Sequence, residues 1–244
     1  MDVLRIEDLV VSVDGKTVIN GVSLDVSLGE INFILGPNGS GKTSLAMAIL
    51  GNPKYRILSG RILFYGRDIT RIDMEKRIQL GLTATFQFAP EIRGITVREL
   101  ADEIAGRYAI PRARVDKLID MLELEHLMDR QINVGFSGGE RKRLEIFLTA
   151  LQAPKFVIFD EPDSGVDPDS IALIGKAITY MLKWGLKGVL IITHTGFLSR
   201  HVEANRAYVL MNGKIICRGS AKRLTRHILE YGFRMCERRY RGEV

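Results

Sequence analysis

The chain has 244 residues, of which 46% are hydrophobic and 26% charged, and its formal net charge at pH 7 is +6. No apolar stretch approaches the roughly 20 residues that a membrane helix needs, and the N-terminus lacks a signal-peptide pattern. Two cysteines without metal-ligand spacing suit a reducing compartment. The basic residues lack the aromatic interleaving of a nucleic-acid stacking platform. We therefore expect a cytoplasmic protein with no direct membrane insertion and no direct nucleic acid contact.

The N-terminal part of the chain predicts several short strands. Residues 3–13 alternate between apolar and polar types, and Asp14-Gly15 predicts a tight turn after them. Alternation returns over residues 22–28, and residues 60–66 predict a strand closed by glycines at both ends. Together these segments predict an antiparallel β layer beside a nucleotide-binding core.

Residues 36–43 read Gly-Pro-Asn-Gly-Ser-Gly-Lys-Thr and match a phosphate-binding loop at every defined position. An apolar run at residues 31–35 precedes the loop, and a strong helix-forming segment follows it. The glycines allow backbone N–H groups to turn towards an anion, and the helix N-terminus adds partial positive charge. Lys42 is expected to reach the β- and γ-phosphates, and the Thr43 hydroxyl to bind Mg²⁺. The predicted nucleoside triphosphate site comprises Gly36, Pro37, Asn38, Gly39, Ser40, Gly41, Lys42, Thr43 and Ser44.

From residue 73 to residue 135 the apolar periodicity becomes helical. Thr96-Val-Arg-Glu99 matches a capping box, and Val115 and Leu118 begin a run at helical spacing. We therefore expect a single domain over residues 1–244. Its helical subdomain spans 73–135, and its α/β core comprises 1–72 and 136–244.

A second capping box, Ser137-Gly138-Gly139-Glu140, opens the next predicted helix. The two glycines disfavour that helix by about 1 kcal/mol each, yet they leave its N–H groups accessible. Ser137 either satisfies backbone donors alone or marks a helix end that receives an anion. The residues by themselves leave both interpretations open.

An apolar run at residues 156–159 predicts a buried strand that ends in two carboxylates. Asp160 suits a Mg²⁺ partner, and Glu161 suits the group that polarises the attacking water. Because neighbouring strand residues point to opposite faces, both can serve one site only where the strand ends. Pro162 favours such an ending.

Further along, Asp167 and Pro168 predict the N-cap and first residue of a helix. The apolar run at residues 188–193 predicts a second buried parallel strand, followed by His194. A lone histidine after such a strand is more often structural than functional.

In kind, order and spacing, these motifs resemble the nucleotide-binding domain of the ATP-binding-cassette (ABC) superfamily over essentially the whole chain. The resemblance implies an α/β P-loop NTPase fold with an antiparallel β subdomain and a helical subdomain, and it implies Mg²⁺-dependent ATP hydrolysis. It further implies catalytic roles for Glu161, for His194 at the γ-phosphate, and for Gln87, which senses Mg²⁺ and the attacking water. The implied Mg²⁺ ligands are Thr43, Gln87 and Asp160.

The same resemblance implies that two subunits sandwich ATP head to tail. Ser137 and Gly139 then contact the ATP held by the opposite subunit, and Asp167 lies at the dimer interface. The segment 133–143 departs from the Leu-Ser-Gly-Gly-Gln motif that is common in transporters. The Pro90-Glu-Ile segment after Gln87 is also unusual.

These departures, together with Asp163-Ser-Gly-Val-Asp167, resemble the SufC family. That resemblance implies the cytoplasmic ATPase of SUF iron–sulfur cluster assembly, with SufB/SufD-like partners and an ATP-dependent homodimer. The partner-binding surface is then expected to include the segment after Gln87 and the helical insert. The ATP-binding subunit of an ABC membrane transporter is the main alternative, and a nucleic-acid-processing ABC ATPase is a second one.

Val13 is a departure from the superfamily pattern, because it stands where transporters usually place an aromatic ring against adenine. Base–aromatic stacking contributes about 1–3 kcal/mol. We therefore expect either weaker ATP binding or another residue that covers the adenine.

Overall fold

The computed structural model describes residues 1–85, 90–233 and 236. The strands of this part, in chain order, are β1 (Asp2–Val13), β2 (Lys16–Ser27), β3 (Ile31–Leu35), β4 (Arg56–Phe64), β5 (Arg67–Asp68), β6 (Leu82–Ala84), β7 (Ile92–Thr96), β8 (Gln131–Ile132), β9 (Phe156–Asp160), β10 (Gly188–Thr193), β11 (Arg206–Met211) and β12 (Lys214–Ser220). Its α-helices are α1 (Lys42–Leu50), α2 (Met74–Gln79), α3 (Val97–Arg107), α4 (Arg112–Met121), α5 (Gly138–Leu151), α6 (Pro168–Lys183) and α7 (Ala221–Tyr231). None of the described helices is long and apolar enough to cross a membrane.

A six-stranded sheet in the order β12-β11-β3-β10-β9-β6 forms the centre of the fold. Every residue of β3, β9 and β10 is buried, and the three strands pair in parallel. This confirms the two buried parallel strands predicted from the apolar runs. In register, Thr193 pairs with Leu35 and Ile192 pairs with Asp160, so the three strands end at one edge. That edge is where ligands bind in open α/β sheets.

The antiparallel layer predicted from the N-terminal sequence is a four-stranded sheet in the order β2-β1-β4-β5. Its apolar face and α1 pack against the six-stranded sheet in one hydrophobic core. The strand predicted at residues 60–66 starts earlier, at Arg56, and runs through Gly60. Gly60 has φ 86°, and a Cβ there would lie 2.5 Å from Glu7 O. The register between β1 and β4 shifts at this point. The shift brings the two backbones so close that only glycine fits there.

The helix α2 begins directly after residue 73, the start of the predicted helical subdomain. β6 lies within the predicted insert but pairs in parallel with β9, so it belongs to the six-stranded sheet. The three residues of β6 are too few to show a helical or an alternating pattern, which explains why the sequence does not predict this strand. The predicted capping box of Thr96 and Glu99 is present at the start of α3. The helices α3 and α4 pack with α5 and α6 in a second core.

Candidate nucleotide site

The loop between β3 and α1 has the backbone of a phosphate cradle. Gly41 adopts φ 105°, and a Cβ at Gly36 would lie 2.2 Å from Leu210 O, so both positions require glycine. Lys42 Nζ donates to the carbonyl oxygens of Gly36 at 2.9 Å and of Pro37 at 3.0 Å. Burial lowers the pKa of Lys42, while the nearby Glu161 carboxylate opposes that shift. The loop therefore folds around its own lysine.

A cavity of about 560 Å³ opens beside this loop. Its described lining consists of Thr17, Val18, Asn38, Gly39, Gly41, Lys42, Thr43, Ser44, Glu161, Asn212 and Gly213. This lining joins the predicted phosphate loop to residues of β2 and of the β11–β12 turn. The sequence interpretation missed that second group, although the Asn212-Gly213 pair is a recognised hairpin-turn signal.

Asp160 ends β9 as a fully buried carboxylate. Neither of its oxygens has a hydrogen-bonding partner within the described residues. Burial raises its pKa, an effect that Glu161 reinforces and that the Thr43 hydroxyl and Lys42 counter. A buried, unsatisfied carboxylate beside a hydroxyl is a donor set that suits Mg²⁺, which takes few protein ligands and shares the rest with phosphates. Thr43 and Asp160 thus fit the predicted metal roles.

Glu161 faces the same site as Asp160 because the strand ends between them. Glu161 has φ 52°, in the left-handed region, so the backbone leaves the extended conformation there. Its Oε1 lies 2.9 Å from His194 Nδ1 and 3.8 Å from Lys42 Nζ. Three predicted site residues from three different elements therefore meet at one carboxylate oxygen.

A hydrogen-bonding network joins the loops that follow β9 and β10. The sequence did not predict this network. Asp163 is buried and accepts from the hydroxyls of Thr193 and Thr195, each at 2.7 Å. It also accepts from the backbone N–H of Leu198 at 3.2 Å. Because Thr193 and Thr195 flank His194, this carboxylate fixes the backbone that carries the histidine. Aspartate within a loop motif gives no sequence signal for such a distant partner.

Ser137 is the N-cap of α5, and the predicted capping box with Glu140 is present. Glu140 accepts from Ser137 N at 2.7 Å, and its other oxygen lies 3.0 Å from His126 Nε2. These two contacts lower the pKa of Glu140 to about 2, and the contact with His126 has the larger effect. A carboxylate with this pKa stays ionised at the helix N-terminus at neutral pH.

The glycines of the Ser137 turn are required by packing within the chain. A Cβ at Gly138 would lie 2.8 Å from Gly165 O, and one at Gly139 would lie 2.6 Å from Asp167 Oδ2. Asp167 is itself the N-cap of α6 and accepts from Ser170 N at 2.8 Å, as the sequence predicts. The 137–140 turn and the 163–167 loop therefore form one closely packed surface.

The predicted site residues thus fall into two groups in space. The phosphate loop, Thr43, Asp160, Glu161 and His194 come together at the edge of the six-stranded sheet. Ser137, Gly139 and Asp167 meet each other instead, and none of them is in the described lining of the cavity. Gln87 lies outside the described residues.

Known proteins match both the sequence and the fold. Residues 19–164 match the family model described as ABC transporter. A probable ABC transporter ATP-binding protein of Streptococcus pyogenes is 37% identical, with 93% of this chain and 92% of that protein covered. The probable ATP-dependent transporter SufC of Escherichia coli is 33% identical, with 94% and 97% covered. Vegetative protein 296 of Bacillus subtilis is 36% identical, with 90% and 87% covered.

Among solved structures, a nucleotide-free ATP-binding cassette from an ABC transporter superposes with a TM-score of 0.79. It is 28% identical, and 94% of this chain and 96% of that one are covered. These likenesses extend over at least 90% of the chain. The chain therefore belongs to the ABC family, as a SufC-like ATPase.

Proposed function

We propose that this chain is the ATP-binding and ATP-hydrolysing subunit of a cytoplasmic SUF-type iron–sulfur cluster assembly complex. One observation carries the proposal: the two loops that resemble SufC rather than transporters pack directly on each other. A Cβ at Gly138 of the 137–140 turn would lie 2.8 Å from Gly165 O of the 163–167 loop, so the turn needs glycine at this position to pack on the loop. The Escherichia coli relative named SufC supports the same assignment.

Within the site, Glu161 is the residue best placed to orient and polarise the attacking water. Its carboxylate is buried, ionisable and shared by Lys42 and His194. The 2.9 Å contact between His194 Nδ1 and Glu161 Oε1 places the imidazole where it orients the carboxylate. We assign Glu161 as the base, and His194 as the residue that orients Glu161 and contacts the γ-phosphate.

Mg²⁺ would be held by Thr43 and Asp160, with Gln87 as a third predicted ligand. When bound, the ion neutralises charge on the β- and γ-phosphates of ATP. Lys42 Nζ and the N-terminus of α1 supply the remaining positive charge.

ATP-dependent dimerisation follows from the separation of the two groups of site residues. Ser137 is exposed at the N-terminus of α5 and Gly139 is buried beside it, and neither residue is in the described lining of the cavity. A second copy, placed head to tail, would present this N-terminus to the γ-phosphate. The homodimer is therefore the proposed catalytic state.

SufB/SufD-like partners are the proposed ligands of an apolar groove of about 300 Å³ between α2 and α5. Met74 and Ile78 of α2 and Leu148 of α5 are half-buried in its lining, which also includes Pro90, three residues after Gln87. Half-buried apolar side chains around a groove are typical of a protein-binding surface. This groove lies where the sequence places the partner surface.

Affinity purification of the tagged chain from its native cells, without crosslinker, tests the proposal. Co-purification of soluble SufB/SufD-like proteins supports it. An integral membrane partner would instead establish the transporter subunit, the alternative that the Streptococcus pyogenes relatives' names favour.

Two variants connect that result to the groove. Leu148→Glu places a charge in the groove and should abolish co-purification while ATP binding persists. Leu58→Glu changes an exposed leucine of β4, 47% exposed, and serves as the matched control that retains partners. Retained partners in Leu148→Glu would place the interface elsewhere.

A further inference from the structure

Part of the nucleotide cavity lining has no assigned partner on the ligand. Lys42, Thr43 and Glu161 account for the phosphates and the hydrolytic water. The base and ribose are then left with Thr17, Val18, Asn212 and Gly213. None of the described lining residues is aromatic, and Val13 is not among them. A stacked ring is therefore not what holds the base in this part of the site.

The β11–β12 turn that carries Asn212 is fixed directly to the phosphate loop. Gly213 N donates to Ser40 O at 3.0 Å, and Asn20 N donates to Gly213 O at 2.8 Å. A Cβ at Gly213 would lie 2.5 Å from Val18 O, so the turn and β2 are in direct backbone contact. The position of Asn212 relative to the bound phosphates is therefore set by the fold.

The Asn212 side chain is available to a ligand. The residue is exposed, lines the cavity, and makes no side-chain hydrogen bond within the described part of the chain. Its backbone φ of 48° is one that asparagine tolerates well. A side-chain amide offers one acceptor and one donor side by side, which pairs with an adenine edge in a bidentate manner.

We propose that Asn212 reads the base of the bound nucleotide and is the specificity-determining residue for adenine. The amide oxygen accepts from the adenine amino group, and the amide nitrogen donates to an adjacent ring nitrogen. At the edge that carries N7, guanine offers two acceptors, so the amide cannot pair with both atoms in either orientation and discriminates against guanine. A carboxylate would instead accept from the two donors on the Watson–Crick edge of guanine. This assignment does not depend on the SUF role or on any partner protein.

The test is the ratio of ATP to GTP affinity, measured by isothermal titration calorimetry with the purified full chain. Asn212→Gly keeps the left-handed turn and removes the amide, so the preference for ATP should fall about tenfold, towards equality. Asn212→Asp should invert the preference in favour of GTP. Lys214→Ala, in the same hairpin but outside the cavity lining, should leave the ratio unchanged.

Inorganic tripolyphosphate, which has no base, separates base reading from an effect on the phosphate loop. Its affinity should be the same for the wild-type chain and Asn212→Gly. The proposal is overturned if both Asn212 variants keep the wild-type ATP:GTP ratio, or if Asn212→Gly weakens tripolyphosphate as much as ATP. Absence of tripolyphosphate and ATP binding in the wild-type chain would instead contradict the nucleotide site itself.

Discussion

His194 Nδ1 lies 2.9 Å from Glu161 Oε1, and that same oxygen lies 3.8 Å from Lys42 Nζ. One carboxylate oxygen therefore lies close to both His194 and Lys42, the two residues that we propose contact the γ-phosphate. Glu161→Gln keeps the size and removes the charge and basicity. We expect steady-state ATP hydrolysis to fall by about 10²- to 10⁴-fold while ATP binding persists and an ATP-bound dimer accumulates. Normal turnover in this variant would refute Glu161 as the base.

Lys42→Ala should weaken binding of MgATP itself. The variant removes a buried ammonium that donates to Gly36 O and Pro37 O, so the loop also loses an internal support. Loss of charge-assisted hydrogen bonds predicts a dissociation constant about 10- to 150-fold higher. Calorimetric titration measures it, and Lys54→Ala, an exposed lysine beyond α1, is the control. Equal affinity in both variants would remove Lys42 from the site.

Ser137→Arg should block hydrolysis without weakening ATP binding by the monomer. The bulky cation occupies the N-terminus of α5, which a second subunit's phosphate would need, but it lies away from the cavity lining of its own chain. Ser137→Thr keeps an N-cap hydroxyl and should retain activity. Hydrolysis that is unchanged in Ser137→Arg would argue against a site shared between subunits.

The sequence predicted the catalytic edge of the fold well because its signals are local. The glycine pattern of the phosphate loop, the apolar run before Asp160 and the N-cap at Asp167 each depend only on neighbouring residues. β6 was missed because its pairing with β9 is set by tertiary contact, not by its own three residues. The Thr193–Asp163 hydrogen bond joins residues from two strand ends, so no spacing rule could reveal it.

The base end of the cavity was missed for a similar reason. Val13 stands where transporters usually place an aromatic ring against adenine, whereas the structure lines the cavity with Val18 and Asn212. Asn212 is far from the phosphate loop in sequence and reaches it only because β11 pairs with β3. Sheet order, and not local pattern, decides which side chains meet the ligand.

Glu140 gives the 137–140 turn a pH-dependent contribution to stability. Its pKa is lowered from the ordinary value of 4.5 to about 2 by His126 and by the Ser137 N–H. A depressed carboxylate pKa stabilises the fold above the unfolded value of 4.5 and loses that effect as the pH falls through about 2. We expect Glu140→Gln to be less stable than the wild-type chain near neutral pH.

That difference in stability should shrink between about pH 5 and pH 3, as the wild-type carboxylate of the unfolded chain becomes protonated. Urea unfolding at several pH values measures the free energy of unfolding for both chains. His126→Gln should reduce the wild-type slope in the same interval. A stability difference that is constant with pH would show that Glu140 acts through its size alone.

Asp163→Ala should reduce both stability and turnover, because three donors depend on this buried carboxylate. The hydroxyls of Thr193 and Thr195 and the N–H of Leu198 would lose their acceptor. A buried donor left unsatisfied costs about 1–3 kcal/mol. The His194 backbone lies between the two threonines, so the distance from its ring to Glu161 should become less well defined. We expect lower thermal stability together with a kcat reduced by about tenfold or more.

The measurement that separates these effects uses Asp163→Asn, which keeps one acceptor oxygen and the side-chain volume. It should recover most of the thermal stability, but its amide nitrogen faces a hydroxyl or N–H donor and leaves the His194 loop misplaced. The affinity for MgATP should remain near wild-type in both variants because Asp163 does not line the cavity. If Asp163→Asn recovers stability and turnover in equal proportion, the carboxylate supports the fold without positioning His194. If turnover stays low while stability and affinity recover, the network between the β9 and β10 loops sets the geometry of the reaction.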